Sequence, residues 1–288
     1  MKRIIGLVVI LLCLSSAPPE AGAAEIAPWA DVWTNLGNYG TNGERANFNS
    51  FILRSEGKFG FHLPTGIPNI NLSPYLAYYG VYAQDKNYWN NEVATGFGIR
   101  TYPLANFAGD SWMNEWIKDI KVFAEVLNLS ILQGQATATT SEVKTNDFRV
   151  GLDLWHEWNL NEPDNKYPWA EVWGNLSYRD TNFIDKYIPK FKTYLLFLHT
   201  KMGVHLPGGV RPYLTTDLTA SSRPEAWYNS LYYGVGVRFE PFREQKDPPE
   251  LLRKFKMYME VLGISWLAQK DSRPQNDMRF GIDFTYGR

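Results

Sequence analysis

The chain has 288 residues with 29 basic and 30 acidic side chains, so it carries no positive field and nucleic acid is excluded as a partner. Aromatic residues make up 15% of it, yet its mean hydropathy is negative. A soluble core prefers Leu, Ile and Val, whereas aromatic girdles on a half-polar chain suit a membrane barrel; composition alone also allows a periplasmic β-sandwich.

The first element is not structural. Lys2 and Arg3 precede an apolar run from Ile4 to Leu14, and small residues follow around Ala21, Gly22, Ala23 and Ala24. These are the n-region, h-region and cleavage site of a secretory signal, expected over 1–24 and removed on export. The run is too short to cross a hydrocarbon core of ~30 Å, and no later stretch approaches the ~20 apolar residues of a membrane helix. Cys13, the single cysteine, lies inside this segment, and Leu11 and Leu12 before it do not match a lipoprotein box. The exported chain is therefore expected to lack disulfides and cysteine metal sites, and no cofactor or metal is implied.

From residue 25 onward, alternating segments separated by polar turns predict strands at 29–38, 47–63, 70–83, 88–102, 117–132 and 146–159. A second series follows at 169–180, 190–206, 210–220, 227–240, 252–268 and 276–287. The two series echo each other. Pro28-Trp29-Ala30-Asp31-Val32-Trp33 returns as Pro168-Trp169-Ala170-Glu171-Val172-Trp173, Gly60 to Pro64 as Gly203 to Pro207, and Pro74-Tyr75-Leu76 as Pro212-Tyr213-Leu214. Gly96 to Arg100 returns as Gly234 to Arg238, Glu125-Val126-Leu127 as Glu260-Val261-Leu262, and Asn146 to Asp153 as Asn276 to Asp283. Such collinearity predicts two internal repeats, 28–160 and 168–287, joined by the short polar turn 161–167. The fold class expected is all-β: one antiparallel transmembrane β-barrel of twelve strands, built over 25–288 from two six-stranded copies.

Facing is legible in the fourth strand of each copy. Val93, Thr95, Phe97 and Ile99 oppose Ala94, Gly96, Gly98 and Arg100, and Leu231, Tyr233, Val235, Val237 and Phe239 oppose Tyr232, Gly234, Gly236, Arg238 and Glu240. A sandwich alternates too, but strands of ten or more residues fit the ~9–11 needed to cross a bilayer at a tilt rather than the ~5–6 of globular sheets. Strand five breaks the rule: Lys121 and Glu125 share a parity with Leu127, Leu129 and Ile131, and Lys256, Tyr258 and Glu260 share one with Leu262, Ile264 and Trp266. Either a bulge near Asn128 and Gly263 flips the faces or the lumen is apolar at that level.

A basic side chain turned to lipid at mid-depth costs ~2–4 kcal/mol, which assigns the strand charges to the interior. The candidate lumen and selectivity residues are Arg100, Lys121, Glu125, Arg149 and Asp153, with their counterparts Arg238, Lys256, Glu260, Arg279 and Asp283. They can pair with one another to hold the barrel or form a charged constriction that selects solutes; the two roles are compatible. No catalytic residue is assigned. His156-Glu157 lacks the second His of a zincin, His199 has no evident serine partner, and His62 and His205, each before Leu-Pro, read as interfacial residues.

With the N-terminus in the periplasm, the Ala/Thr/Ser-containing segment 133–145 becomes an extracellular loop, and 64–69 and 207–209 become periplasmic turns. The connectors 103–116 and 241–251 fall on the periplasmic side and are long enough for a short helix.

The last strand, Arg279-Phe280-Gly281-Ile282-Asp283-Phe284-Thr285-Tyr286, resembles the β-signal of outer-membrane barrels, although Gly287 and Arg288 trail the final aromatic. That resemblance implies a bacterial outer-membrane location and recognition by the barrel-assembly machinery, with lipid and lipopolysaccharide as surroundings. The size is similar to that of small twelve-stranded porins for acidic oligosaccharides and nucleosides. The Pro-Tyr-Leu strand followed by Gly-x-Gly-x-Arg faintly resembles the C-terminal barrels of exopolysaccharide exporters and a phage-adsorption protein. The function expected is a porin-like channel for a small hydrophilic solute or saccharide. The alternative is a closed structural or accessory barrel of an envelope or exopolysaccharide system. A lipid hydrolase is disfavoured, because nothing resembles the His-x-Ser-Asn-Gly motif of outer-membrane phospholipases.

Overall fold

The computed structural model describes residues 26–42, 48–64, 71–84, 91–105, 112–132, 146–160, 167–181, 191–223, 229–243, 245, 248–268 and 275–287. The expected signal peptide, the loop 133–145, nearly all of the turn 64–69 and most of the junction 161–167 lie outside these residues.

The strands are β1 (Ala27–Asn42), β2 (Phe48–Pro64), β3 (Asn71–Ala83), β4 (Asn91–Thr101), β5 (Lys121–Ile131) and β6 (Asn146–Trp158). They continue with β7 (Trp169–Thr181), β8 (Phe191–Gly203), β9 (Val210–Ser221), β10 (Ser230–Phe239), β11 (Phe255–Trp266) and β12 (Gln275–Tyr286). Each pairs antiparallel with its neighbours in sequence, and β1 closes the ring on β12 from Val32↔Tyr286 to Asn42↔Asn276. Closure satisfies every edge, which is what a sheet in lipid requires.

Two connectors carry helices, α1 (Trp112–Ile117) between β4 and β5 and α2 (Glu250–Arg253) between β10 and β11. The sequence reading ran strand five from 117 and its copy from 252; both starts belong instead to these helices and the turns behind them. Both helices lie at the mouth where β1 begins, as does the 3-10 turn Pro207–Gly209, in which Gly208 at φ 76° and Gly209 at φ 72° supply the left-handed conformations.

The outer face is apolar and open. Phe97 is 72% exposed, and Leu214, Tyr194, Val126 and Val235 stand out on the same surface. Apolar side chains outside and charges inside is the inverse of a soluble protein and the pattern of a membrane-spanning barrel.

Strand five contains no bulge. The register of β4 with β5 is unbroken from Thr101↔Val122 to Glu92↔Ile131, and that of β10 with β11 from Phe239↔Met257 to Ser230↔Trp266. The interior itself changes character instead: Leu127 packs with Tyr75, Ala77 and Ala94, and Leu262 is equally buried in the second half. A second apolar cluster of Tyr39, Ile52 and Ala83 lies at the end of the barrel away from the helices.

Close packing of the inner wall recurs at matched positions. A Cβ on Gly60 would fall 2.3 Å from Pro74 O and 2.8 Å from the Trp29 ring, and one on Gly203 would fall 2.3 Å from Pro212 O and 2.9 Å from the Trp169 ring. A side chain at either glycine would collide with its tryptophan and with a backbone carbonyl at once.

Candidate functional site

The inward parity of the strands brings the charged residues into one lumen. Arg100 reaches Asp31 at 2.5 Å while its guanidinium lies 3.4 Å from the centre of the Trp29 ring. Arg238 grips Glu171 through two nitrogens, at 2.6 and 3.1 Å, with Trp169 beneath it at 4.9 Å. In each case the acid is two residues after the tryptophan on the same strand, so the alternation of β1 or β7 places both on the inner face.

Glu125 and Glu260 anchor the second matched cluster. Lys58 Nζ lies 3.1 Å from Glu125, which also accepts hydrogen bonds from Tyr75 and Tyr79, both at 2.8 Å. Lys201 Nζ lies 3.2 Å from Glu260, which accepts one from Tyr213 at 2.8 Å. A charge removed from water must be paired and hydrogen-bonded, and these carboxylates are both.

The remaining candidates also point inward. Arg149 pairs with Asp147 at 2.6 Å, and Arg279 with Asp277 at 2.6 Å and Asp217 at 2.8 Å. Asp153 sits 4.0 Å from Lys58 and opposite Lys121 in register, as Asp283 sits opposite Lys256. The ten sequence candidates do not form one ring: six divide among the two Arg–Trp clusters, the two Lys–Glu–Tyr clusters and the Arg–Asp pairs on β6 and β12, and the other four face each other in register as Lys121–Asp153 and Lys256–Asp283.

Several partners were not among those candidates: Asp31, Glu171, Lys58, Lys201, Tyr75, Tyr213 and Asp217. All but Asp217 lie in or beside the stretches of sequence that echo each other, so that echo carried the signal for them. His199 pairs with Asp217, which Arg279 also holds. His62, at the end of β2, meets Ser73 Oγ at 2.7 Å and stacks on Trp29 at 5.9 Å. Ser73 is fully buried, so this contact offers no accessible nucleophile.

Between the two halves lies a cavity of about 210 Å³. Its wall includes Lys58, Glu125, Arg149 and Arg179 together with the rings of Trp173 and Phe197.

No protein-family model and no curated protein matches the chain. Among solved structures, the β domain of the Bordetella autotransporter BrkA aligns with a TM-score of 0.40 at 12% identity, covering 91% of this chain and 99% of that one. The KdgM porin aligns with a TM-score of 0.36 at 13% identity, covering 88% and 99%. An outer membrane channel from Pseudomonas putida F1 aligns with a TM-score of 0.37 at 10% identity, covering 93% and 100%. The likeness is one of barrel architecture, and no function is carried over with it.

Proposed function

We propose that the chain is an outer-membrane barrel that passes small hydrophilic solutes, saccharides among them, through a narrow lumen gated by its own side chains. The observation that carries this reading is the mid-lumen cavity, bounded by charges of both signs and by aromatic faces inside a closed ring of strands. Mixed-sign walls favour hydrated polar solutes over ions of one sign. The terminal strand serves as the assembly signal, segment 1–24 as the export signal, and the two halves as duplicated copies.

A second reading has its own support. Arg100, Glu125, Arg211 and Arg238 are each at most 4% exposed, so much of the interior is filled. A closed accessory barrel of the envelope accounts for that filling.

Planar-bilayer recording separates the two. For a channel, the parent protein gives discrete openings, and Arg100→Ala with Arg238→Ala enlarges the conductance. Silence from parent and variant alike, with only stability altered, would mean the closed barrel.

A further inference from the structure

Asn159 directly follows β6 and is the one non-glycine residue with a positive φ, 53°, among the described residues. Asparagine tolerates this left-handed conformation. The bend carries Leu160 inward at the mouth where β1 begins, and its side chain is buried against the rings of Trp169 and Tyr213. The backbone there is held as firmly as the side chain. Arg211 Nη2 donates to Leu160 O at 2.9 Å and Arg243 Nη1 donates to it at 2.8 Å. His205 Nε2 donates to Asn159 O at 3.1 Å, and Asn159 Nδ2 to Pro168 O at 3.0 Å. Glu240 fixes both arginines, 2.9 Å from Arg211 and 3.3 Å from Arg243. Two successive carbonyls thus take three side-chain donors, one from β9 and the others from beyond the ends of β8 and β10.

The first half of the barrel has the same aromatic pair but not these donors. Trp29 and Tyr75 meet edge to face at 5.6 Å, as Trp169 and Tyr213 do at 5.8 Å. Ser73 stands where the second half has Arg211, Tyr102 where it has Glu240, and Ala105 where it has Arg243. His62, the counterpart of His205, meets Ser73 instead of a backbone carbonyl. Trp29 is only partly buried, whereas Trp169 is fully buried with Leu160 against it. A contact needed merely to pack the aromatic pair would recur in both halves, and it does not.

The contact can also open without opening the sheet. The register of β6 with β7 ends at Trp158↔Ala170, so Asn159 and Leu160 contribute no rung to the ladder. Elements held in this way open locally while the rest of a fold stays closed. Arg211, although buried, leaves Nε and Nη1 without a hydrogen-bond partner among the described residues, so the closed contact satisfies its guanidinium only in part.

We propose that Leu160 is an autoinhibitory stopper of this mouth, latched by Arg211, Arg243 and His205, and that its release widens the passage along the Trp169 half of the lumen. The proposal concerns regulation of the channel and rests on that reading. Cysteine accessibility tests it, because the single cysteine, Cys13, lies in the expected export signal. Leu160→Cys and, on the β10–β11 connector, the exposed control Gln245→Cys are reacted with a water-soluble maleimide on the full barrel in detergent. Leu160→Cys is expected to react slowly and Gln245→Cys fast. Adding Arg243→Ala to Leu160→Cys is expected to raise its rate by roughly tenfold or more, the range for losing a hydrogen bond to a charged group. In planar bilayers, Leu160→Ser and Arg243→Ala should each pass more current per opening than the parent.

Equal labelling rates for Leu160→Cys and Gln245→Cys, or a Leu160→Cys rate that Arg243→Ala leaves unchanged, overturn the latch. If Arg243→Ala fails to fold by circular dichroism, Leu160→Ser, which leaves every charge in place, decides by its current, and a parental conductance overturns the stopper. Labelling as expected on barrels that never conduct sinks the channel and keeps the latch, whereas a conducting parent whose current neither variant changes does the reverse.

Discussion

Lys58 on β2 and Glu125 on β5 meet at 3.1 Å although two strands separate theirs in the ring, so their ion pair is a strut across the lumen rather than a neighbour contact. Lys201 and Glu260 make the same strut between β8 and β11 at 3.2 Å. Removing one partner of a buried pair leaves an uncompensated charge, at a cost of about 3–5 kcal/mol. Lys58→Met should therefore lower the urea stability of the reconstituted barrel strongly, and adding Glu125→Gln should restore part of it. Lys201→Met should lose less, because Arg279 remains 4.0 Å from Glu260. Equal losses for the two lysines would contradict that explanation.

The glycines under the two tryptophans give a steric prediction. Gly60→Ala and Gly203→Ala each push a Cβ to 2.3 Å from a backbone carbonyl, which cannot retreat as a side-chain tip could. Overpacking of this kind costs about 1–3 kcal/mol, and the two substitutions should act alike. Unfolding midpoints of both variants in micelles check it; an unchanged midpoint for either means that the wall gives way more easily than its geometry implies.

The lipid face is tested at Phe97, the most exposed large apolar residue on β4. Phe97→Arg should cost ~2–4 kcal/mol if that position lies near the bilayer midplane. The measurement is the folding equilibrium into vesicles; a loss close to zero would move Phe97 to the water interface or remove the barrel from the membrane.

His205 lies beyond the end of β8, where Nε2 donates to Asn159 O at 3.1 Å. Burial lowers its pKa below 6.5, assisted by the charge of Arg243 and opposed by the bond to Asn159. A depressed histidine disfavours protonation in the folded state, so its contribution is complete above the unfolded pKa of about 6.5 and declines as pH falls below it. A proton NMR titration of the ring should show a midpoint under 6.5. His205→Gln, which can keep a donor, should remove this pH dependence.

The amino-acid sequence by itself determined the barrel, because alternation with a period of two and strands long enough for a bilayer are local properties, visible at Val93 to Arg100 without knowing any neighbour. It also determined that the strand charges face inward, since lipid admits no other placement. It left strand five ambiguous: a bulge and an apolar lumen produce the same order of Lys121, Glu125 and Leu127. Only the unbroken register of β5 with β4 decided for the apolar lumen. Which charges pair was equally beyond local reading, because Lys58 reaches Glu125 and Arg279 reaches Asp217 across the lumen, between strands that share no hydrogen bonds. That Arg179 forms no ion pair among the described residues likewise emerges only in the closed ring, where its bonded partner is Ser177 on its own strand.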